Sequence, residues 1–104
     1  MGIVALVSDL MDRSRISATV PAATFTGDVD GATDAEIVVI DLNRHGAVVA
    51  EVRRRAPDAF IVAFGSHVDD EQLRAAGAAG ADRVLPRSRF FRDPAAALAH
   101  GDGP

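Results

Sequence analysis

The side chains best suited to chemistry in this chain follow short apolar runs. They comprise acids, hydroxyls, a histidine and two arginines: Ser8, Asp9, Asp41, Ser66, His67, Arg87 and Arg89. A carboxylate at the end of a strand either belongs to a site or caps the next turn. Ser66, His67 and the arginines are suited to anions, because guanidinium groups and the amides of a helix start both attract negative charge.

The elements that must position these side chains alternate along the sequence. The four β-branched residues of 37–40 predict a strand that is covered on both faces of a parallel sheet. Further strands are predicted at 3–7, 23–26, 60–64 and 83–86. Helices are predicted at about 11–20, 47–56, 69–79 and 94–100, with Asp12 as the cap of the first and Asp69 with Gln72 capping the third. Residues 43–46 are expected to form a loop.

This alternation predicts an α/β fold with a doubly wound, five-stranded parallel sheet. The expected strand order is 2-1-3-4-5, as in flavodoxin-like folds, with right-handed crossovers. The second crossover, 27–35, is acidic and rich in small residues, so its helix should be shortened to one turn or missing. The order brings the ends of strands one, three, four and five together. It therefore gathers Asp9, Asp41, Ser66, His67 and Arg87.

Composition limits the remaining classes of function. A chain of 104 residues, 48% hydrophobic, predicts one domain over 1–100 with a frayed tail at 101–104. The absence of cysteine excludes disulfides and thiolate chemistry. A net charge of -4 argues against nucleic acid and membrane surfaces as partners. No apolar run approaches membrane length, and a cytoplasmic location is expected.

At its polar edge the sequence resembles the response-regulator receiver domain, the phospho-acceptor module of two-component signalling. The resemblance covers nearly the whole chain and rests on Ser8-Asp9, Asp41-Leu42 and the segment Gly80-Ala-Asp82. It implies that Asp41 is equivalent to the phospho-acceptor. It also implies that Ser8 and Asp9 replace the acidic pair, of which Asp9 matches the magnesium ligand.

Departures from the receiver pattern predict a degenerate, pseudo-receiver-like module. The family's hydroxyl residue falls on Gly65, with Ser66 one place late, and its lysine falls on Arg87. With one acid fewer, Asp9 and Asp41 would hold Mg²⁺ only weakly, and no cofactor is expected. The planar guanidinium of Arg87 does not replace a compact ammonium. We therefore expect regulation through protein contacts, without aspartyl phosphorylation and without enzymatic activity.

A second hypothesis keeps the same edge but changes its task. The chain could be a small anion-binding or ligand-binding protein, conceivably an enzyme, that uses Asp41, His67, Arg87 and Arg89. Plainer interpretations also stand beside both hypotheses. Asp9 and Asp41 could serve only as turn caps, and the run 53–55 of three arginines is most simply the outer face of a helix.

The short second crossover carries the last prediction from sequence. Segment 27–35 contains a single sizeable apolar residue, Val29, so part of one sheet face is expected to be bare. An apolar face exposed to water favours association. This predicts a homodimer or a partner's helix near the crossover, with Phe90 and Phe91 as the alternative surface.

Overall fold

The computed structural model describes residues 2–66, 68 and 70–99, and the structural statements below concern these residues. The elements follow in chain order: β1 (Ile3–Leu6), α1 (Leu10–Thr19), β2 (Ala23–Phe25), a first 3₁₀ turn (Val29–Ala32), β3 (Ile37–Asp41), α2 (Leu42–His45), a second 3₁₀ turn (Gly46–Val48), α3 (Val49–Arg55), β4 (Phe60–Gly65), α4 (Asp70–Ala79), β5 (Arg83–Pro86), α5 (Arg87–Arg92) and α6 (Pro94–Leu98). His67, Asp69 and the predicted tail 101–104 lie outside the described residues.

All five strands pair in parallel in the order β2-β1-β3-β4-β5. β3 lies at the centre of the sheet. Its residues Ile37 to Ile40 pair with β1, and its residues Ile37 to Asp41 pair with β4. Val38, Val39 and Ile40 of β3 are fully buried, as expected for a strand covered on both faces. The predicted α/β fold and its strand order are confirmed.

Helices cover both faces of the sheet and form two apolar clusters. The face covered by α1, α5 and α6 buries Ile16, Phe64 and Phe90 between helices and strands. The opposite face packs α3, α4 and the first 3₁₀ turn against side chains such as Leu6 and Ile61. Ile61 and Phe64 point to opposite faces of β4, because side chains alternate along a strand. The rings of Phe64 and Phe90 stack with centroids 4.6 Å apart.

The second crossover is shortened as predicted, but it does not leave a sheet face bare. Residues 29–32 form one 3₁₀ turn whose Val29 and Ala32 are buried, and β1 and β3 residues beneath it, Leu6 and Val38, are fully buried. Asp28 caps this turn by accepting a hydrogen bond from the Gly31 N–H. The expectation of a bare face is wrong, because two small apolar contacts and a cap suffice to hold the segment down. Self-association stays a prediction, but an exposed sheet face no longer supports it.

The structure contains two helices that the sequence did not predict. Residues 42–45 form α2, where a loop was expected, because the Asp41 side chain caps the turn. Residues 87–92 form α5, whose start has no side-chain cap, so packing must stabilise it. Phe90 supplies that packing and is fully buried, which makes it core and unsuitable as an association surface. Asp93 accepts a hydrogen bond from the Ala96 N–H and begins α6 as predicted.

Candidate functional site

Both predicted acids cap helices at the carboxyl edge of the sheet. Asp9 lies at the start of α1, where its carboxylate accepts a hydrogen bond from the Asp12 N–H at 3.0 Å. Asp41 lies at the end of β3, where its carboxylate accepts from the Asn43 N–H at 3.0 Å. Their environments differ, since Asp9 is exposed whereas Asp41 keeps only 3% of its surface. Both acids therefore act as caps.

Arg87 is directed at a third acid that was not predicted to belong to the site. Its two terminal nitrogens donate to the two carboxylate oxygens of Asp12 at 3.0 and 2.8 Å. Asp12 is only 4% exposed, and its expected role as a helix cap is wrong. The planar fork of a guanidinium matches both oxygens of a carboxylate, which a lysine cannot do. This pair holds the start of α1 against the start of α5.

Ser8 also forms a side-chain hydrogen bond at this edge. Its hydroxyl lies 3.0 Å from Nε2 of His45, at the end of α2. The next backbone carbonyl toward β1, that of Val7, accepts from Nε of Arg13 at 2.7 Å. Ser8 therefore ties the end of β1 to α2 on the side of Asp41, and it does not provide a second acid.

The position of the receiver hydroxyl is closed in this chain. A Cβ atom on Gly65 would lie 2.8 Å from Oε1 of Gln72 and 3.3 Å from Cβ of Leu42. The Gln72 amide is held in place because its Nε2 donates to the Leu42 carbonyl at 3.2 Å. A side chain at residue 65 thus requires Gln72 to move. Glycine fits here because two neighbours occupy the space that a hydroxyl residue needs.

Burial and neighbouring charges set the protonation of Asp41 and Arg87. Burial raises the pKa of Asp41 above its ordinary value of 3.8, while the bond from the Asn43 N–H and the Arg87 charge act in the opposite direction. The hydrogen bond to Asp12 raises the pKa of Arg87, with smaller contributions from the charges of Asp41 and Asp9. The positive charge of Arg87 is therefore stabilised by all three acids of this edge, Asp12, Asp41 and Asp9.

Asp41→Asn is expected to stabilise the protein near neutral pH. A raised folded pKa means that Asp41 contributes stability below its unfolded pKa and loses it as the pH rises through the folded pKa. Asparagine removes this loss and keeps an oxygen for the Asn43 N–H. Urea unfolding should show a higher midpoint for Asp41→Asn at about pH 7 and a shrinking difference as the pH falls toward 3.8. A less stable variant at neutral pH would mean that attraction to Arg87 outweighs burial.

The predicted anion-binding residues are only partly brought together. Ser66 and Arg87 line a cavity of about 560 Å³ between α1 and α5, whereas Arg89 lines a different cavity beside α6. The first cavity also contains Arg15 from α1, which was not predicted, and Arg92, which the sequence groups with Arg87 and Arg89 in a local arginine cluster. Anion binding stays a prediction. Arg89 lies in a different cavity from Ser66 and Arg87.

The carboxylates at this edge do not fit a strong magnesium site. No group of three acidic or histidine side chains able to hold a metal ion is found among the described residues. Asp12 is engaged by Arg87, which leaves Asp9 and Asp41, each already accepting a backbone N–H. A hard cation takes six or more oxygens, and a guanidinium beside the site opposes it electrostatically.

A signal in the sequence could have revealed the buried role of Asp12. It stands four residues before Ile16, and residues at this spacing share one face of a helix. Because Ile16 faces the core, Asp12 must face it as well, and a buried acid requires a partner. Arg92 belongs to a sequence cluster with Arg87 and Arg89, whereas no comparable signal marks Arg15.

Solved structures similar to this chain include response regulators and a putative pilus assembly-related protein. A response regulator from Burkholderia pseudomallei, with a phosphorylated aspartic acid, calcium and citrate, superposes with a TM-score of 0.79 at 16% identity. The match covers 93% of this chain and 65% of that one, so this chain spans less than two thirds of its length. A Thermotoga maritima response regulator gives 0.72 at 10% identity, covering 94% and 97% of the two chains.

A third structure extends the comparison beyond response regulators. A putative pilus assembly-related protein from Burkholderia pseudomallei matches with a TM-score of 0.65 at 20% identity, over 96% of this chain and 92% of that one. No protein-family model and no curated protein matches the sequence. The chain has the flavodoxin-like receiver fold, and its identity to these structures is low. None of the helices in the described part is both long and apolar enough to span a membrane.

Proposed function

We propose that this protein is an atypical receiver-like regulatory module that acts through protein contacts, without aspartyl phosphorylation and without catalysis. The orientation of Arg87 carries the proposal. In place of a lysine free to meet a phosphoryl group on Asp41, the chain has a guanidinium held by both oxygens of Asp12. A cation fixed in this way is poorly suited to report a change at Asp41.

Two further contacts support the absence of phosphoryl chemistry. The place of the receiver hydroxyl is taken by Gly65 and closed by Gln72. Asp41 is 3% exposed and its carboxylate accepts from the Asn43 N–H, so its oxygens are poorly placed to attack a phosphodonor. With the weak cation site, these features remove the groups that stabilise charge during phosphoryl transfer.

Exposed apolar side chains at the same edge support a role in protein contact. Leu10 and Met11, at the start of α1, are 77% and 73% exposed, and Val68, after β4, is 78% exposed. Large exposed apolar side chains are favourable contacts for a partner. Either a second copy of this chain or another protein satisfies this chemistry. The proposal also places the protein in the cytoplasm.

Incubation with acetyl phosphate and Mg²⁺ is expected to leave the intact mass of the protein unchanged. The reason is that the second acid, the hydroxyl and the lysine are all replaced. Intact mass spectrometry measures this directly, with an active receiver domain in a parallel reaction to show that the phosphodonor works. An adduct on the unaltered protein that disappears in Asp41→Asn would contradict the proposal.

A further inference from the structure

The cavity between α1 and α5 concentrates positive charge on an acidic protein. It has a volume of about 560 Å³ and is lined by Arg15, Ser66, Arg87, Ser88, Phe91 and Arg92. Three of its lining side chains are guanidiniums, and no carboxylate is among the described residues that line it. The whole chain carries a net charge of -4, so this positive charge is a local feature.

The three guanidiniums differ in how far they are already neutralised. Arg87 is paired with the buried carboxylate of Asp12. In the described part of the chain, neither Arg15 nor Arg92 has an ion pair or hydrogen bond. These two guanidiniums therefore have no ion-pair partner in the described structure. A bound group with two negative charges would match them.

The ring of Phe91 holds two of these cations in position. The guanidinium carbons of Arg15 and Arg87 lie 4.8 and 5.0 Å from its centroid, within the range of cation–π contacts. Phe91 is itself fixed by edge-on contacts with Phe64 and Phe90. Cations positioned before binding lose less side-chain entropy when a ligand arrives, which favours affinity.

We propose that this cavity binds a phosphate group, either free or as the ester of a small molecule. The dianion would pair with Arg15 and Arg92, whose forked N–H groups suit phosphate oxygens, and the hydroxyls of Ser66 and Ser88 would donate further hydrogen bonds. The cavity volume lies within the range of small-molecule sites, which leaves room for the body of an ester. The proposal does not depend on the proposed function, because the residues that pair with the dianion, Arg15 and Arg92, play no part there.

Isothermal titration calorimetry with inorganic phosphate and with phenyl phosphate tests this site at constant ionic strength. Arg15→Gln and Arg92→Gln are each expected to weaken binding of the better ligand by about tenfold or more, since each removes charge-assisted hydrogen bonds. The matched control is Arg54→Gln, an exposed arginine of α3 on the opposite sheet face. It changes the net charge equally and should leave binding unchanged.

The two probes separate the sources of the phosphate. Tighter binding of phenyl phosphate supports an ester whose body occupies the cavity, whereas equal or tighter binding of inorganic phosphate supports the free ion. Equal weakening by Arg54→Gln and Arg15→Gln would overturn the site, because net charge alone would then explain the binding. Failure of both phosphates to bind better than chloride would overturn it as well.

Discussion

Arg87→Met is expected to lower the free energy of unfolding by about 3 kcal/mol. The substitution leaves the Asp12 carboxylate, 4% exposed, without the cation that holds both of its oxygens. Breaking a buried ion pair by removing one partner costs about 3 to 5 kcal/mol. We expect the lower end of this range, because 34% of the Arg87 side chain is exposed and water can partly replace it. Urea unfolding followed by circular dichroism measures the loss.

A second substitution separates the lost pair from lost packing. In Asp12→Leu combined with Arg87→Met, no buried charge remains, and most of the stability should return because apolar residues can replace a buried pair. The control is Arg89→Met, an exposed arginine of the same helix without an ion pair in the described structure, which should change stability by less than about 0.5 kcal/mol. A double variant as unstable as Arg87→Met alone would show that contacts with Phe64 and Phe91 matter more than charge.

The ion pair of Arg87 gives the end of β5 a structural role. Arg87 fastens α5 to α1 through the buried carboxylate of Asp12. Its side chain also lines the cavity between α1 and α5.

Local patterns were sufficient to predict the framework of the fold. The β-branched run of β3 and the turn residues that bound each strand indicated parallel strands, and chain order with right-handed crossovers fixed the sheet. The candidate edge followed, because parallel strands end on the same side. Asp9, Asp41, Ser66 and Arg87 could be placed there on topology alone.

Features that arise from packing could not be predicted in this way. α5 has no cap and begins with charged residues, so only the burial of Phe90 between β4 and α6 makes it a helix. The first 3₁₀ turn covers its sheet face with Val29 and Ala32. From composition alone, these residues were expected to be too small to cover it. The orientation of the Arg87 side chain depends on α5. The sequence therefore could not predict that Arg87 would bond Asp12 and not Asp41.

Arg53 shows the same limit on the opposite face of the sheet. The run 53–55 was expected to be an outer helix face, but only Arg54 is exposed there without a partner in the described structure. Arg55 pairs with Asp30 and Glu51. Arg53 turns inward, and its expected place on the outer face is wrong. Arginine has a long apolar stem that can pass along the protein and still bring donors to buried acceptors.

Arg53 joins its own helix to the nearby start of β4 and to a turn that is distant in sequence. Its guanidinium donates to the carbonyls of Pro57, Ala59 and Gly80 at 2.8 to 3.1 Å, and to the Asp82 carboxylate at 2.6 Å. That carboxylate also accepts from the Ile61 N–H at 2.8 Å. These bonds thus join the end of α3 to the start of β4 and to the turn before β5.

Gly80 shows how closely the backbone approaches this side chain. Its φ of +124° is open to glycine, and a Cβ atom there would lie 3.0 Å from Cβ and Cγ of Arg53. Both the backbone conformation and the close contact require glycine at this turn. The Gly80 carbonyl can therefore reach Nε and one terminal nitrogen of Arg53 together.

Arg53→Met is expected to lower the free energy of unfolding by about 2 to 4 kcal/mol, since methionine keeps the apolar stem but leaves several acceptors without a donor. The Arg53 side chain is 26% exposed, so water can rehydrate only some of them. The control is Arg54→Met, which removes the same charge from the next residue and should cost less than about 0.5 kcal/mol. Chemical denaturation of both variants measures the difference. Equal losses would show that the charge of α3, and not the bonds of Arg53, stabilises this face of the fold.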